Sequence, residues 1–246
     1  MKHIFLAVLP LILFIAGCTK SDEKTGSYSN DRAVGASARD LLSNESYTSL
    51  KIEIQYMSGF KPDTAAISHL ASVLASRLNK PDGIEVVQLQ IPASAGTMLS
   101  TKDVMNIEKQ NRTVYTSGNQ LGVYFLFTNG NYTDNNVLGI AYRNTSMCLF
   151  GKTIHDNSGG IGQASKTKVE ATVLEHEFAH ILGLVNTGSS MQAPHQDAPH
   201  GAHCNNENCL MYYAAETTDI LGFLVTGNIP SLDANCINDL KANGGK

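Results

Sequence analysis

The stretch His176-Glu-Phe-Ala-His180-Ile-Leu-Gly183 constrains this chain more than any other. It closes the segment KTKVEATVLEHEFAHILG, in which Val173, His176, His180 and Gly183 share one side of a helix. Leu174, Phe178, Ile181 and Leu182 lie on the other side. Residues four apart on a helix are stacked neighbours, so the two imidazoles can converge on one ion. Zinc suits imidazole, and a catalytic zinc site takes three protein ligands and keeps one position for water. Glu177 follows the first histidine, where a carboxylate can take a proton from that water. The fold must therefore anchor this helix through its apolar side and bring a third ligand back to it.

Gly183 offers the end of the helix, because glycine tolerates the left-handed turn that stops one. Three residues later stands Asn186, whose amide is a poor zinc ligand beside imidazole or carboxylate. Further on, APHQDAPHGAHCNNENCLMYYA (193–214) carries His195, His200 and His203. From the residues alone, the third ligand is one of these or Asn186.

HExxHxxG resembles the metzincin zinc endopeptidases. The later HC-NNEN-CLM, with His203, Cys204, Cys209 and Met211, is similar to the archaemetzincin pattern, in which the third histidine directly precedes the first cysteine. This resemblance covers roughly residues 170–213. It implies a zincin-like fold, His203 as the displaced third ligand, and residues 187–202 as an insertion. Met211 is then the methionine of a turn beneath the metal. Tyr212 or Tyr213, which follow it, offer a hydroxyl to a developing oxyanion. Archaemetzincins also hold a second zinc with a later CxxC. Here only Cys236 follows Met211, so one zinc is expected.

The chain of 246 residues is 42% hydrophobic with a net charge of -4. It is large enough for a sizeable core, and no basic block points to nucleic acid. The start, MKH followed by IFLAVLPLILFIAG and Cys18, resembles a bacterial lipobox. It implies a signal peptide over 1–17, lipid on Cys18, and export to the outer membrane, facing the periplasm or the cell surface. The TKSDEK that follows is similar to a surface-export signal of Bacteroidetes lipoproteins. Together with the insertion, the pattern resembles lipid-anchored metalloproteases of that group. Four further cysteines in an exported chain favour disulfides. Cys204 and Cys209 can close a small loop, which leaves Cys148 with Cys236. A soft-metal site is the alternative.

Residues 18–47 read as a flexible tether. Strands are expected at 51–57, 84–91, 121–128, 137–142 and 147–150, and helices at 63–80, 101–114, 166–184 and 231–242. This order predicts an α+β, zincin-like fold, in which helices, the active-site helix among them, pack on a mixed twisted sheet. Residues 48–184 form its N-terminal subdomain, and 185–246 a small irregular C-terminal one carrying the Met-turn. His69 belongs to the edge of a helix. His155 and Asp156 read as a polar turn before the active-site helix, and NGNYTDNN (129–136) as a hairpin loop. The expected activity is zinc-dependent hydrolysis of peptide bonds by a monomer. The substrate peptide is expected along an edge strand near 147–151. Rival readings are an inactive binding lipoprotein that kept the fold, and a zinc hydrolase of non-peptide amides or esters.

Overall fold

The computed structural model describes residues 28–246. The signal peptide, Cys18 and the acidic stretch behind it lie outside the described residues. Among those described, no helix is long and apolar enough to cross a membrane.

The architecture is a mixed sheet with helices on both faces. Its strands are β1 (Ser49–Met57), β2 (Ile84–Ile91), β4 (Gln120–Thr128), β6 (Gly139–Arg143) and β7 (Ser146–Phe150). They lie in the order β2-β1-β4-β7-β6. The first four in that order run parallel, and β6 pairs antiparallel with β7. The central strand β4 reads QLGVYFLFT and is buried along nearly its whole length. Parallel strands covered on both faces carry such unbroken apolar runs. β3 (Met98–Leu99) and β5 (Asn131–Tyr132) form a small second sheet.

Strand alternation sorts the core into two layers. Ile52, Ile54, Val123, Phe125, Phe127, Met147 and Leu149 face one side. They meet Ile67, Leu70 and Leu74 of α2 (Thr64–Arg77) and Leu174 and Phe178 of α5 (Lys166–Ile181). Tyr124, Leu126, Cys148 and Phe150 face the other, with Val104 of α3 (Thr101–Asn111). α2 opens on Asp63, whose side chain accepts from the Ala65 amide, and α3 opens on a capping box between Ser100 and Asp103.

Three expectations change. The tether does not reach residue 47: α1 (Ala38–Leu42) lies inside that span and buries Leu41 and Leu42 completely in the main core. Its Ser- and Asn-rich surroundings lack helical periodicity, and the helix is too short to show in the sequence. The polar turn expected at His155 and Asp156 lies instead inside another short helix, α4 (Gly151–Asn157). The strand near 147–151 is interior, and the hairpin return makes β6 the edge. The C-terminal part is irregular, with α6 (Leu221–Thr226), α7 (Ala234–Ala242) and short 3-10 turns.

Candidate metal centre

α5 is built to hold still. Ser165 caps its start by accepting from the Lys168 amide. Every residue from Val169 to Ile181 is buried, because the sheet, α2 and the C-terminal part enclose the helix. The apolar side packs as expected, with Phe178 and Phe125 ring centroids 6.1 Å apart. Two of the three carboxylates on α5 are matched: Glu170 accepts from the Asp63 amide at 2.6 Å, and Glu175 contacts His69 on the half-exposed rim of α2.

The helix ends in a Schellman turn. The Leu184 amide donates to Ala179 O and the Gly183 amide to His180 O, with Gly183 at φ +74. A side chain on Gly183 would meet the Ser189 backbone nitrogen at 2.6 Å. Val185 and Asn186 continue the left-handed path at φ 54 and 66. Asn186 is exposed there and is not among the residues gathered at the centre. It is a turn former, a role asparagine accepts.

His176, His180 and His203 converge, although His203 lies beyond the inserted loop. Their ring centroids are 4.6 Å (176–180), 5.3 Å (176–203) and 5.0 Å (180–203) apart. The Nε2 atoms of His176 and His180 stand 3.0 Å apart. His176 Nδ1 lies 2.7 Å from Leu210 O, and His203 Nδ1 lies 2.7 Å from His200 O. A carbonyl only accepts, so each Nδ1 carries the hydrogen and each neutral Nε2 turns a lone pair to the centre. Burial pulls His180 down to about 4, which keeps it neutral as well. His203 Nε2 is buried without a hydrogen bond. Three imidazoles aiming lone pairs at one point fit a divalent cation.

Glu177 is fully buried beside them, and neither of its oxygens has a hydrogen-bond partner. Burial first, then the nearby Glu216 carboxylate, push it well above the usual carboxylate range, against the pull of the Ala141 backbone. Met211 is fully buried, next in sequence to the carbonyl that fixes His176.

Glu216 carries no signal in the sequence reading. It closes the 3-10 turn Tyr213–Glu216 and faces all three imidazoles. Its Oε2 lies 3.5 Å from the Nε2 atoms of both His176 and His180, and its Oε1 lies 3.5 Å from that of His203.

Other candidates go elsewhere. His200 is exposed, pairs with Asp197 at 2.6 Å and stacks on Tyr213 with centroids 3.7 Å apart. Tyr212 lies against Tyr213 at 4.7 Å. His155 packs on Phe60 at 4.8 Å, and Asp156 pairs with Lys152 at 2.6 Å.

The cysteines overturn the expected pairing. All four described cysteines are free thiols. Cys148 points to the opposite face of the sheet from Cys204, Cys209 and Cys236, so it has no route to Cys236. α7 instead brings Cys236 Sγ to 3.7 Å from Cys209 Sγ. The buried His195 joins them, its Nδ1 3.4 Å from Cys204 Sγ and 3.8 Å from Cys236 Sγ. Its Nε2 is held 2.8 Å from the buried Asp239 carboxylate. The Met211 and Asp233 amides donate to Cys209 Sγ at 3.4 and 3.3 Å. The Cys236 thiol, with these amides, brings Cys209 down to about 7 against burial, while burial pushes Cys204 up to about 12.

No family model and no curated protein matches the chain. Among solved structures it is similar to archaemetzincin from Methanopyrus kandleri, with 12% identity and a TM-score of 0.51. That match covers 80% of this chain and 96% of the other. Metalloproteinase-II from Bacteroides fragilis matches at 13% identity and a TM-score of 0.46, over 90% of this chain and 58% of that one. At 12% identity the archaemetzincin likeness is one of fold. The fold is the zincin-like α+β arrangement.

Proposed function

We propose that this chain is a zinc-dependent peptidase with His176, His180 and His203 as metal ligands and Glu177 as general base. One observation carries the reading: three buried imidazoles converge, two of them tied by backbone carbonyls so that their Nε2 lone pairs face the centre, beside a buried carboxylate with both oxygens free. When bound there, zinc supplies Lewis-acid polarisation of water and of a substrate carbonyl. Glu177 accepts the proton of the attacking water and passes it to the leaving amine. β6 presents an open edge beside α5, where an extended peptide can add as a further strand. Met211 packs under the centre. The archaemetzincin likeness supports the architecture of this reading.

The second cluster fits a structural ion. One ligand atom each from His195, Cys204, Asp233 and Cys236 lies within 4.8 Å of the others, and Cys209 Sγ stands 3.7 Å from Cys236 Sγ, so the cluster offers three sulfurs and one imidazole, the composition of a closed zinc site. Asp239 orients the imidazole as carboxylates do behind metal-bound histidines. Asp233 also reaches Cys204 Sγ at 3.5 Å, but it is already the N-cap of α7 and a partner of Asn206. We thus propose a structural ion beside the single catalytic zinc expected from the sequence. Export and lipid attachment at Cys18 remain part of the proposal and rest on the lipobox.

The test uses a mixed peptide library digested by the zinc-loaded protein and by Glu177→Gln. The reading expects cleavage by the parent and none by the variant, with equal zinc in both. An untouched library alongside cleavage of small amides or esters would replace peptidase by a non-peptide hydrolase.

A further inference from the structure

We infer that Glu216 is a fourth, displaceable protein ligand of the three-histidine centre, and that it holds the resting enzyme closed. The inference rests on the metal reading of that centre. A tetrahedral zinc with bonds of about 2.0–2.1 Å keeps its ligand atoms roughly 3.3 Å apart. The His176–His180 edge is 3.0 Å. The three edges from Glu216 to the imidazole nitrogens are each 3.5 Å. The carboxylate, with Oε2 facing His176 and His180 and Oε1 facing His203, therefore stands on the open side of the histidine set, the side a catalytic centre leaves to water. A closed set of four protein ligands belongs to a resting or structural ion, and an open one to a working ion.

The backbone around Glu216 gives the contact a second consequence. Leu138 N donates to Glu216 O at 2.7 Å, Thr218 N donates to Asn136 O at 2.8 Å, and Val137 bridges Thr217 antiparallel. The segment 216–218 thus pairs with the residues leading into β6. It lies across the start of the edge where a peptide would add. The same strap that delivers the carboxylate shortens the binding edge. The Glu216 side chain keeps 27% exposure, against 0% for His176, so it has a side open to solvent toward which it can withdraw. Its anchoring bond to Leu138 is made by its backbone. A side-chain change leaves that bond in place.

The experiment uses cobalt-substituted protein, parent beside Glu216→Gln and Glu216→Ala, with metal content measured in each. Cobalt reports its ligands through visible absorption, independently of activity. Loss of Glu216 is expected to change the visible spectrum and to admit azide, which leaves the parent spectrum unaltered. It is also expected to weaken metal binding at least about tenfold in chelator competition, the lower end for loss of an outer-shell partner. On the zinc-loaded proteins, peptide cleavage is expected to rise in the variants. Parent and variants with the same spectrum, azide response and metal affinity would overturn the inference and leave the three-histidine reading standing. A parent that binds no metal at the histidines would overturn both. Variants that keep the metal but cleave more slowly than the parent would also overturn it, by making Glu216 a working group.

Discussion

Gly139 has no room for a methyl group. A Cβ there would come within 2.5 Å of Val173 Cγ1 and 2.8 Å of Glu177 Oε1. The first residue of the edge strand is small so that β6 can lie directly against α5 at the base. Gly139→Ala should cost about 1–3 kcal/mol of overpacking and should push Glu177 out of place. The expected result is a lower melting temperature and weaker hydrolysis with zinc still bound; unchanged melting and activity would refute the close approach. Individual residues were unevenly legible in the sequence. His176, Glu177 and His180 are readable because helical spacing alone puts them together. His203 needed the cysteine and methionine beside it to stand out from His195 and His200. Glu216 sits in an ordinary AAETTD stretch with no spacing to any histidine, so only the fold could reveal it. The role of His195 was not legible, because two of its partners, Cys236 and Asp239, arrive 41 and 44 residues later.

At the scale of elements, α5 and its termination organise everything downstream. Gly183 closes the Schellman turn, and the chain then runs on to the segment that carries His203. Gly201 offers an internal control, since its φ of +71 is also left-handed but nothing lies within 4 Å of a Cβ there. Gly201→Ala should cost only the penalty of its φ +71, ψ −112 backbone, about 1–3 kcal/mol. Gly183→Ala should cost more, because the Ser189 backbone must also move, and it should weaken metal binding. Equal losses in thermal melts of the two variants would contradict this. The strands and longer helices were readable to within a few residues, since their periodicity reflects burial on one or two faces. The short helices α1 and α4 were not, having too few turns to show a period. The edge strand was misplaced because the hydrophobicity of β7 says that it is buried, while the return of β6 outside it is a matter of topology.

For the whole molecule, the C-terminal part has few regular elements and depends on what its cysteines and histidines hold. Four free thiols and two clusters of ligating groups predict a fold tied by metal and not by disulfides. A bound ion stabilises the native state by mass action, about 4 kcal/mol when it is present at a thousand times its dissociation constant. Melting of the zinc-loaded protein should therefore fall sharply with a strong chelator and stay unchanged with a reductant alone. The opposite pattern would restore the disulfide reading drawn from the export signal and the cysteine number.

Zinc stoichiometry of the soluble chain, residues 19–246, beside its His203→Ala variant tests the central claim most directly. After a mild chelator has removed weakly held metal, the parent should hold about two ions and the variant about one, because loss of His203 weakens the histidine centre and spares the cysteine cluster. A variant that holds as much zinc as the parent would contradict the account, and with it the assignment of His203 to the metal.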